Sequence, residues 1–215
     1  MARPRKPLLS RDGIVDAALA LASETGGFTV PELARRLGVR PSSLYNHVRG
    51  RAEIIELIRR RLHEEMAVRV DVSGDWADVV RNVAAAQRAV LARHPWVIML
   101  LATSPAGLDS AITTVENLAT ILSRAGFADR DVAHVIAMID IVTIGAGLDL
   151  VSPEVIYPPE VLAQSTTLAR VMSSLPAGAS RADDAFDFTI ELVIEAMRAR
   201  LRRTLEGGTE QEARP

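Results

Sequence analysis

The sequence predicts an all-α protein, a three-helix helix-turn-helix head followed by a helical bundle. Three observations predict it. Apolar residues recur at helical spacing along most of the chain, and alternating strand patterns are absent. Hydrophobic residues make up 48% of the chain but aromatics only 4%, so the core is aliphatic and alanine-rich, which favours helices. Residues 29–52, TVPELARRLGVRPSSLYNHVRGRA, read as a short helix, a tight turn and a second short helix that ends in a basic corner.

Each element follows from local signals. Ser10 can cap a helix running to about Thr25. Thr29 is the next N-cap, with Pro31 in the first turn and Glu32 three residues on, as in a capping box. Leu33, Ala34 and Leu37 form the apolar side of that helix, and Gly38 follows where a left-handed C-cap is expected. Val39 plugs the corner. Pro41 opens the second short helix, with Leu44 and Val48 facing inward. A helix from about Arg51 to Val70 carries Ile54, Ile55, Leu57, Ile58, Leu62 and Met66 inward and joins head to body.

After a break at 70–74, Asp75 caps a helix over about 76–93. Further helices are expected over about 95–102, 107–125 and 129–150. A proline-rich loop fills 152–160, then one helix runs to about Ser174, and a last helix spans about 182–205. The expected division is a head over 1–50, a connecting helix over 51–70, a body over 71–206 and a disordered tail over 207–215.

The outward face of the second short helix would carry Ser42, Ser43, Tyr45, Asn46 and Arg49, with His47 beside it. Hydroxyls, an amide, a phenol and a guanidinium suit base edges and phosphates in a major groove. Thr29, Arg40, Pro41 and Arg51 complete the expected double-stranded DNA contact set, in which Arg49 and Arg51 act mainly on phosphates. Charge agrees. Residues 1–70 hold 13 Lys or Arg against 8 Asp or Glu, a net of +5, while residues 71–215 hold 12 against 19, a net of −7. A basic head on an acidic body aims the head at phosphate. Arg3, Arg5 and Lys6 are either an arm touching the DNA backbone or an ordinary disordered terminus.

Other classes find little support. There is no cysteine, which suits the cytosol without requiring it. No run is expected to approach the ~20 apolar residues of a membrane span. The basic start lacks an apolar segment of the kind a signal peptide needs, so a cytoplasmic, membrane-free protein is expected. The four histidines, at 47, 63, 94 and 134, lack metal-binding spacing, and no nucleophile elbow or phosphate loop is present. Neither an enzyme nor a cofactor is expected.

At these residues the chain resembles a family. Leu33-Ala34, Leu37-Gly38-Val39, Leu44-Tyr45 and His47-Val48 are similar to the DNA-binding domain of TetR/AcrR-type repressors, as are Ile14-Val15, Ala17-Ala18, Leu21-Ala22, Gly26, Phe28 and 51–55. The segments 76–82, 91–95 and 103–145 resemble the tetracycline repressors' effector domain. The resemblance implies a ligand-responsive transcriptional regulator, read as a repressor, that binds a palindromic operator as a homodimer and is released by a small, largely apolar effector. It places the dimer contact on 129–150 and 182–205. His134, Met138, Ile141, Gly145 and Leu148 would pack against Phe186, Ile190, Val193, Ile194 and Met197, with Gly145 and Gly147 permitting close approach.

The family's metal-held drug is not implied. Leu100 or Leu101 stands where those repressors place a metal-binding histidine, Met66 or Ala67 where a pocket histidine falls, and Pro31 near a base-contacting arginine. Polar groups within apolar runs are the candidates for an effector pocket: Gln87, Trp96, Met99, Thr103, Asn117 and Asp140. Each could equally satisfy a neighbour or lie at an interface. The rival functions are a constitutive DNA-binding factor with a solid body and, more remotely, an enzyme with a DNA-binding head.

Overall fold

A computed structural model describes residues 9–67, 74–102, 112–153, 155, 157–175 and 181–212. Their elements are α1 (Arg11–Thr25), α2 (Val30–Arg36), α3 (Pro41–Leu44), α4 (Arg51–Ala67), α5 (Trp76–Arg93), α6 (Val97–Ala102), α7 (Ile112–Arg124), α8 (Asp129–Asp149), α9 (Pro159–Leu162), α10 (Thr166–Met172) and α11 (Arg181–Glu212). No strand occurs among the described residues. The described parts of 1–70 and 93–116 form one compact unit, and those of 71–92 and 117–215 another.

The first unit is built from strong local signals. Ser10 accepts the Gly13 N–H at 3.0 Å and opens α1, and Gly26 closes it at φ 77, a left-handed geometry that costs glycine nothing. The Thr29 hydroxyl accepts from Glu32 N–H, and the Glu32 carboxylate accepts back from Thr29 N–H at 2.9 Å, so the expected capping box is complete. Gly38, at φ 67, lets the chain reverse after α2. α1 packs on α2 and α4, α2 on α3, and α4 on α6. Their shared core is aliphatic: Ile14, Ala18, Ala22, Leu33, Leu44, Ile54 and Ile58 are each fully buried. Each large aliphatic contributes about 1.5–3 kcal/mol by leaving water. All six residues expected to face inward from α4 are buried.

The second unit is clamped by arginines. Asp75 accepts from Ala77 N–H at 2.7 Å and Asp78 N–H at 3.0 Å and so caps α5. The Trp76 ring meets Phe127 edge-on at 5.1 Å. α8 buries Val132, Val135 and Ile139. It packs antiparallel against α11, which buries Phe186, Ile190, Ile194 and Met197. Asp131 at one end of α8 is gripped by Arg200, and Asp149 at the other end by Arg181. Arg81 ties α5 to Glu191 on α11 at 2.6 and 3.0 Å.

Several expectations are corrected. The helix expected to run to Ser174 is two, α9 and α10, because Ser165 at φ −143 accepts the Leu168 N–H and starts a new helix. The last helix does not stop near 205 but runs to Glu212, into the segment expected to be disordered. Once a helix is long, propagation is easy, and two glycines cost only about 1 kcal/mol each. α8 has a mean hydropathy of 1.7 over its apolar window and is long and apolar enough to cross a membrane by length and composition alone, although Asp140 interrupts the apolar run. The physical reason is that it is apolar on two faces. One lies on the unit's own core and the other is exposed, with Ile141 at 72% and Leu148 at 42%.

The interface expectation is half corrected. His134, Ile141, Gly145 and Leu148 do line an exposed stripe of α8, with Met138 half-buried on it. Phe186, Ile190, Ile194 and Met197 instead face their own core, because α11 rotates that stripe onto α8. Among its described residues, the large apolar side chains that face outward include Phe188, 67% exposed, and Leu192, 49% exposed.

Candidate functional site

The turn that presents the second short helix is fixed from behind. Arg40, extended at φ −76 and ψ 146, leads into Pro41, which supplies a preset φ for the first helical position. α3 proper is only four residues, and Tyr45, Asn46 and His47 continue it as turns held by His47 N–H to Leu44 O (2.9 Å) and Val48 N–H to Leu44 O (3.0 Å). Leu44 is fully buried and Val48 nearly so. This anchoring turns the opposite side outward. Arg40, Pro41, Ser42, Tyr45, Asn46 and Arg49 are exposed, while Ser43 and His47 are half-buried.

Two expected contact residues also have structural duties. Thr29 is exposed, but its hydroxyl donates to Glu32 at 2.7 Å, and this hydrogen bond holds the Glu32 carboxyl below the usual glutamate range. Arg51 donates Nε to the Phe28 carbonyl at 3.2 Å and lies over the Phe28 ring at 5.4 Å. The segment with Arg3, Arg5 and Lys6 lies outside the described residues.

Sequence reasoning missed the side chains that brace this corner. Arg11 donates Nε to the His47 carbonyl and Nη2 to Glu53. The other Glu53 oxygen accepts the Arg49 N–H at 2.6 Å. Arg36 binds Glu24 through two bonds of 2.6 and 2.8 Å and holds that carboxyl below its usual range. These pairs are up to 42 positions apart, so no local spacing announces them.

Gln87 and Asp140 come together, with Gln87 Nε2 donating to Asp140 Oδ1 at 2.9 Å. Asn117 is exposed on α7. Trp96 and Met99 belong to the other compact unit, and Thr103 lies outside the described residues. Asp140 is exposed rather than buried in its apolar run. The fully buried polar residue of α8 is Thr143, one turn on, whose hydroxyl donates to the Ile139 carbonyl at 2.8 Å. Met99 is exposed at 62%, whereas Trp96 is half-buried with its Nε1 fully enclosed and lacking a hydrogen-bond acceptor among the described residues. His94 stands edge-on to Trp96 at 6.1 Å, and burial pushes its imidazole down from the usual value.

Residues 71–201 match the family model described as tetracyclin repressor-like, C-terminal domain. The HTH-type transcriptional repressor DrrR1 of Streptomyces coeruleorubidus is 30% identical over 147 residues, 67% of this chain and 54% of that protein. Tetracycline repressor protein class D of Escherichia coli is 30% identical over 148 residues, 66% of each chain. The chain thus spans between 54% and 66% of the first curated relatives it matches. Among solved structures, apo ActR from Streptomyces coelicolor aligns with a TM-score of 0.73 at 21% identity, over 92% of this chain and 99% of that one. A tetracycline repressor variant from Acinetobacter baumannii AYE, solved in complex with minocycline, aligns with a TM-score of 0.68 at 19% identity, over 90% and 98%. At these identities the structural matches speak for the fold.

Proposed function

The chain belongs to the tetracycline repressor-like family of transcriptional regulators, and from that premise we propose that it is a ligand-responsive repressor. It binds a palindromic operator as a homodimer and leaves it when a small, largely apolar effector binds the body. The observation that carries the DNA half is the α2–α3 corner. Leu44 and Val48 are sunk in the core, and Arg40, Ser42, Tyr45, Asn46 and Arg49 stand outward on the basic head. In this reading Tyr45, Asn46, Ser42 and Ser43 read base edges, Arg40, Arg49 and Arg51 hold phosphates, and Thr29, Pro41 and His47 shape the rim.

One such helix meets too few bases for specificity, so two heads on two half-sites are needed. The exposed apolar stripes of α8 and α11, with Ile141 and Leu148 on one and Phe188 and Leu192 on the other, are the surface a second copy would cover. Two relatives are named for tetracycline repression or solved with minocycline, which supports a small-molecule effector here. Gln87 and Asp140, already hydrogen-bonded, are the polar pair assigned to orient it, with Asn117 of the same unit as a further candidate. Release requires the effector to favour a conformation whose two heads no longer match the groove spacing, by several kcal/mol over the bound one.

The test is a thermal-shift screen of hydrophobic compounds followed by gel shifts on the DNA upstream of the gene. A compound that stabilises the protein and weakens the operator complex supports the switch. One that stabilises it and leaves operator affinity unchanged refutes the switch, because coupling is reciprocal, and leaves a constitutive DNA-binding factor.

A further inference from the structure

Arg88 lies on α5 within the second unit, in the run AAAQRAVLAR, where an arginine reads as part of a solvated face. The structure buries it instead. Its side chain is only 13% exposed. Nη1 pairs with Asp183 Oδ1 at 2.6 Å, and the guanidinium carbon lies 4.7 Å from the centre of the Phe186 ring. Nε and Nη2 are fully enclosed and have no acceptor among the described residues. A buried donor without an acceptor loses its water and gains nothing in return, which proteins rarely tolerate without a purpose.

The two orphan nitrogens form one edge of the guanidinium, the side-on fork that matches a planar oxyanion through two parallel bonds. This protein uses the same edge elsewhere. Arg81 grips Glu191 through Nε and Nη2 at 2.6 and 3.0 Å, and Arg200 grips Asp131 the same way at 2.9 and 2.9 Å. In those two arginines the fork holds a carboxylate of the chain. In Arg88 the third nitrogen is neutralised, one face is stacked on an aromatic ring, and the fork itself is enclosed in the body.

We propose that the Arg88 fork, beside the Phe186 ring, binds the carboxylate of an aromatic or otherwise apolar organic acid. This rests on the effector reading and narrows it: the effector is an apolar body carrying one carboxylate, rather than a neutral hydrocarbon-like molecule. Asp183 acts as the internal counter-ion that keeps the guanidinium acceptable while no ligand acid is bound.

The experiment compares 2-naphthoic acid with 2-naphthamide, a matched pair differing in charge, by calorimetric titration of the full chain at neutral pH. Two charge-assisted bonds should make the acid bind roughly 10–100-fold tighter than the amide. Arg88→Met, which keeps the apolar stem, should bring that ratio to about one. Arg88→Lys should keep part of it, because the charge remains and the fork is lost. Asp183→Asn should strengthen naphthoate binding, since the guanidinium loses its competing anion. A purely structural Arg88 would shift melting temperatures and leave the acid-to-amide ratio alone.

The proposal is overturned if the wild type shows no acid preference, or if the preference survives in Arg88→Met. If Arg88→Met does not fold, Asp183→Asn decides: unchanged or weaker naphthoate binding overturns it. A gel shift in parallel keeps the two readings apart. Naphthoate held through Arg88 without weakening the operator complex leaves the anion site standing and removes the switch.

Discussion

Arg11 reaches across 36 positions of sequence to donate its Nε to the backbone carbonyl of His47 at 3.0 Å. The first residue of α1 therefore holds the chain just beyond α3, and Glu53 completes the brace by accepting from Arg11 and from the Arg49 N–H. The side chains that would meet DNA are thus aimed by residues that need not touch it.

Replacing Arg11 by alanine should consequently degrade discrimination between operator and random DNA. The salt dependence of binding should stay unchanged, since no phosphate contact is lost. Stability should change by no more than about 1 kcal/mol, because the Arg11 side chain is 59% exposed and surface pairs contribute little. Fluorescence anisotropy across a salt series distinguishes the roles: a slope reduced by about 1 would make Arg11 a phosphate contact instead.

Tyr45→Ala and Asn46→Ala should alter preference among base pairs by about 1–3 kcal/mol per lost contact. Arg49→Ala should weaken binding to all sequences and reduce the salt slope by about 1. Arg51→Ala should combine a weaker complex with a lower melting temperature, since Arg51 also supports Phe28. Intact affinity and preference in both the Tyr45 and Asn46 variants would show that another surface reads the DNA.

Ile141→Glu and Phe188→Glu place charges on side chains that are 72% and 67% exposed in the single chain. Each should leave helicity intact, convert a dimer to a monomer in light scattering and abolish specific operator binding. A variant that stays dimeric with Glu at both positions would place the interface elsewhere.

Leu44→Ala removes a side chain with no exposure from behind the reading corner. It should cost about 2–5 kcal/mol in denaturant unfolding. Thr29→Ala removes a helix cap and should cost about 1 kcal/mol. A cost for Leu44→Ala within about 0.5 kcal/mol of zero, as for ordinary surface changes, would contradict its burial.

Acid should loosen the second unit. Hydrogen bonds from Arg200 hold the Asp131 carboxyl below the usual aspartate value of 3.8, and those from Arg81 hold Glu191 below the usual glutamate value of 4.5. A depressed folded-state value means each contributes stability that is fully present above the unfolded value and is lost as pH falls through the folded one. The stability deficit of Asp131→Asn and Glu191→Gln should therefore be largest at neutral pH and shrink as pH drops below those values. Urea midpoints at pH 7 and pH 3 check this, and a deficit that grows in acid would refute the assignment.

The sequence alone determined what depends on near neighbours. Ser10, Thr29 with Glu32, Gly38 and Pro41 act within one helical turn, so the caps and the corner were legible, as were the inward residues of α4. The exposed stripe of α8 was legible too, because helical periodicity names the residues that share a face. Periodicity does not say which face turns inward. Tertiary packing decided that Phe186 and Ile190 face their own core while Phe188 and Leu192 face out. It decided that Thr143 rather than Asp140 is buried, a matter of three residues of rotation. It alone buried Arg88 against Phe186 and brought Arg11 to His47. These relations join residues far apart in the chain, and their energies exist only once distant helices meet.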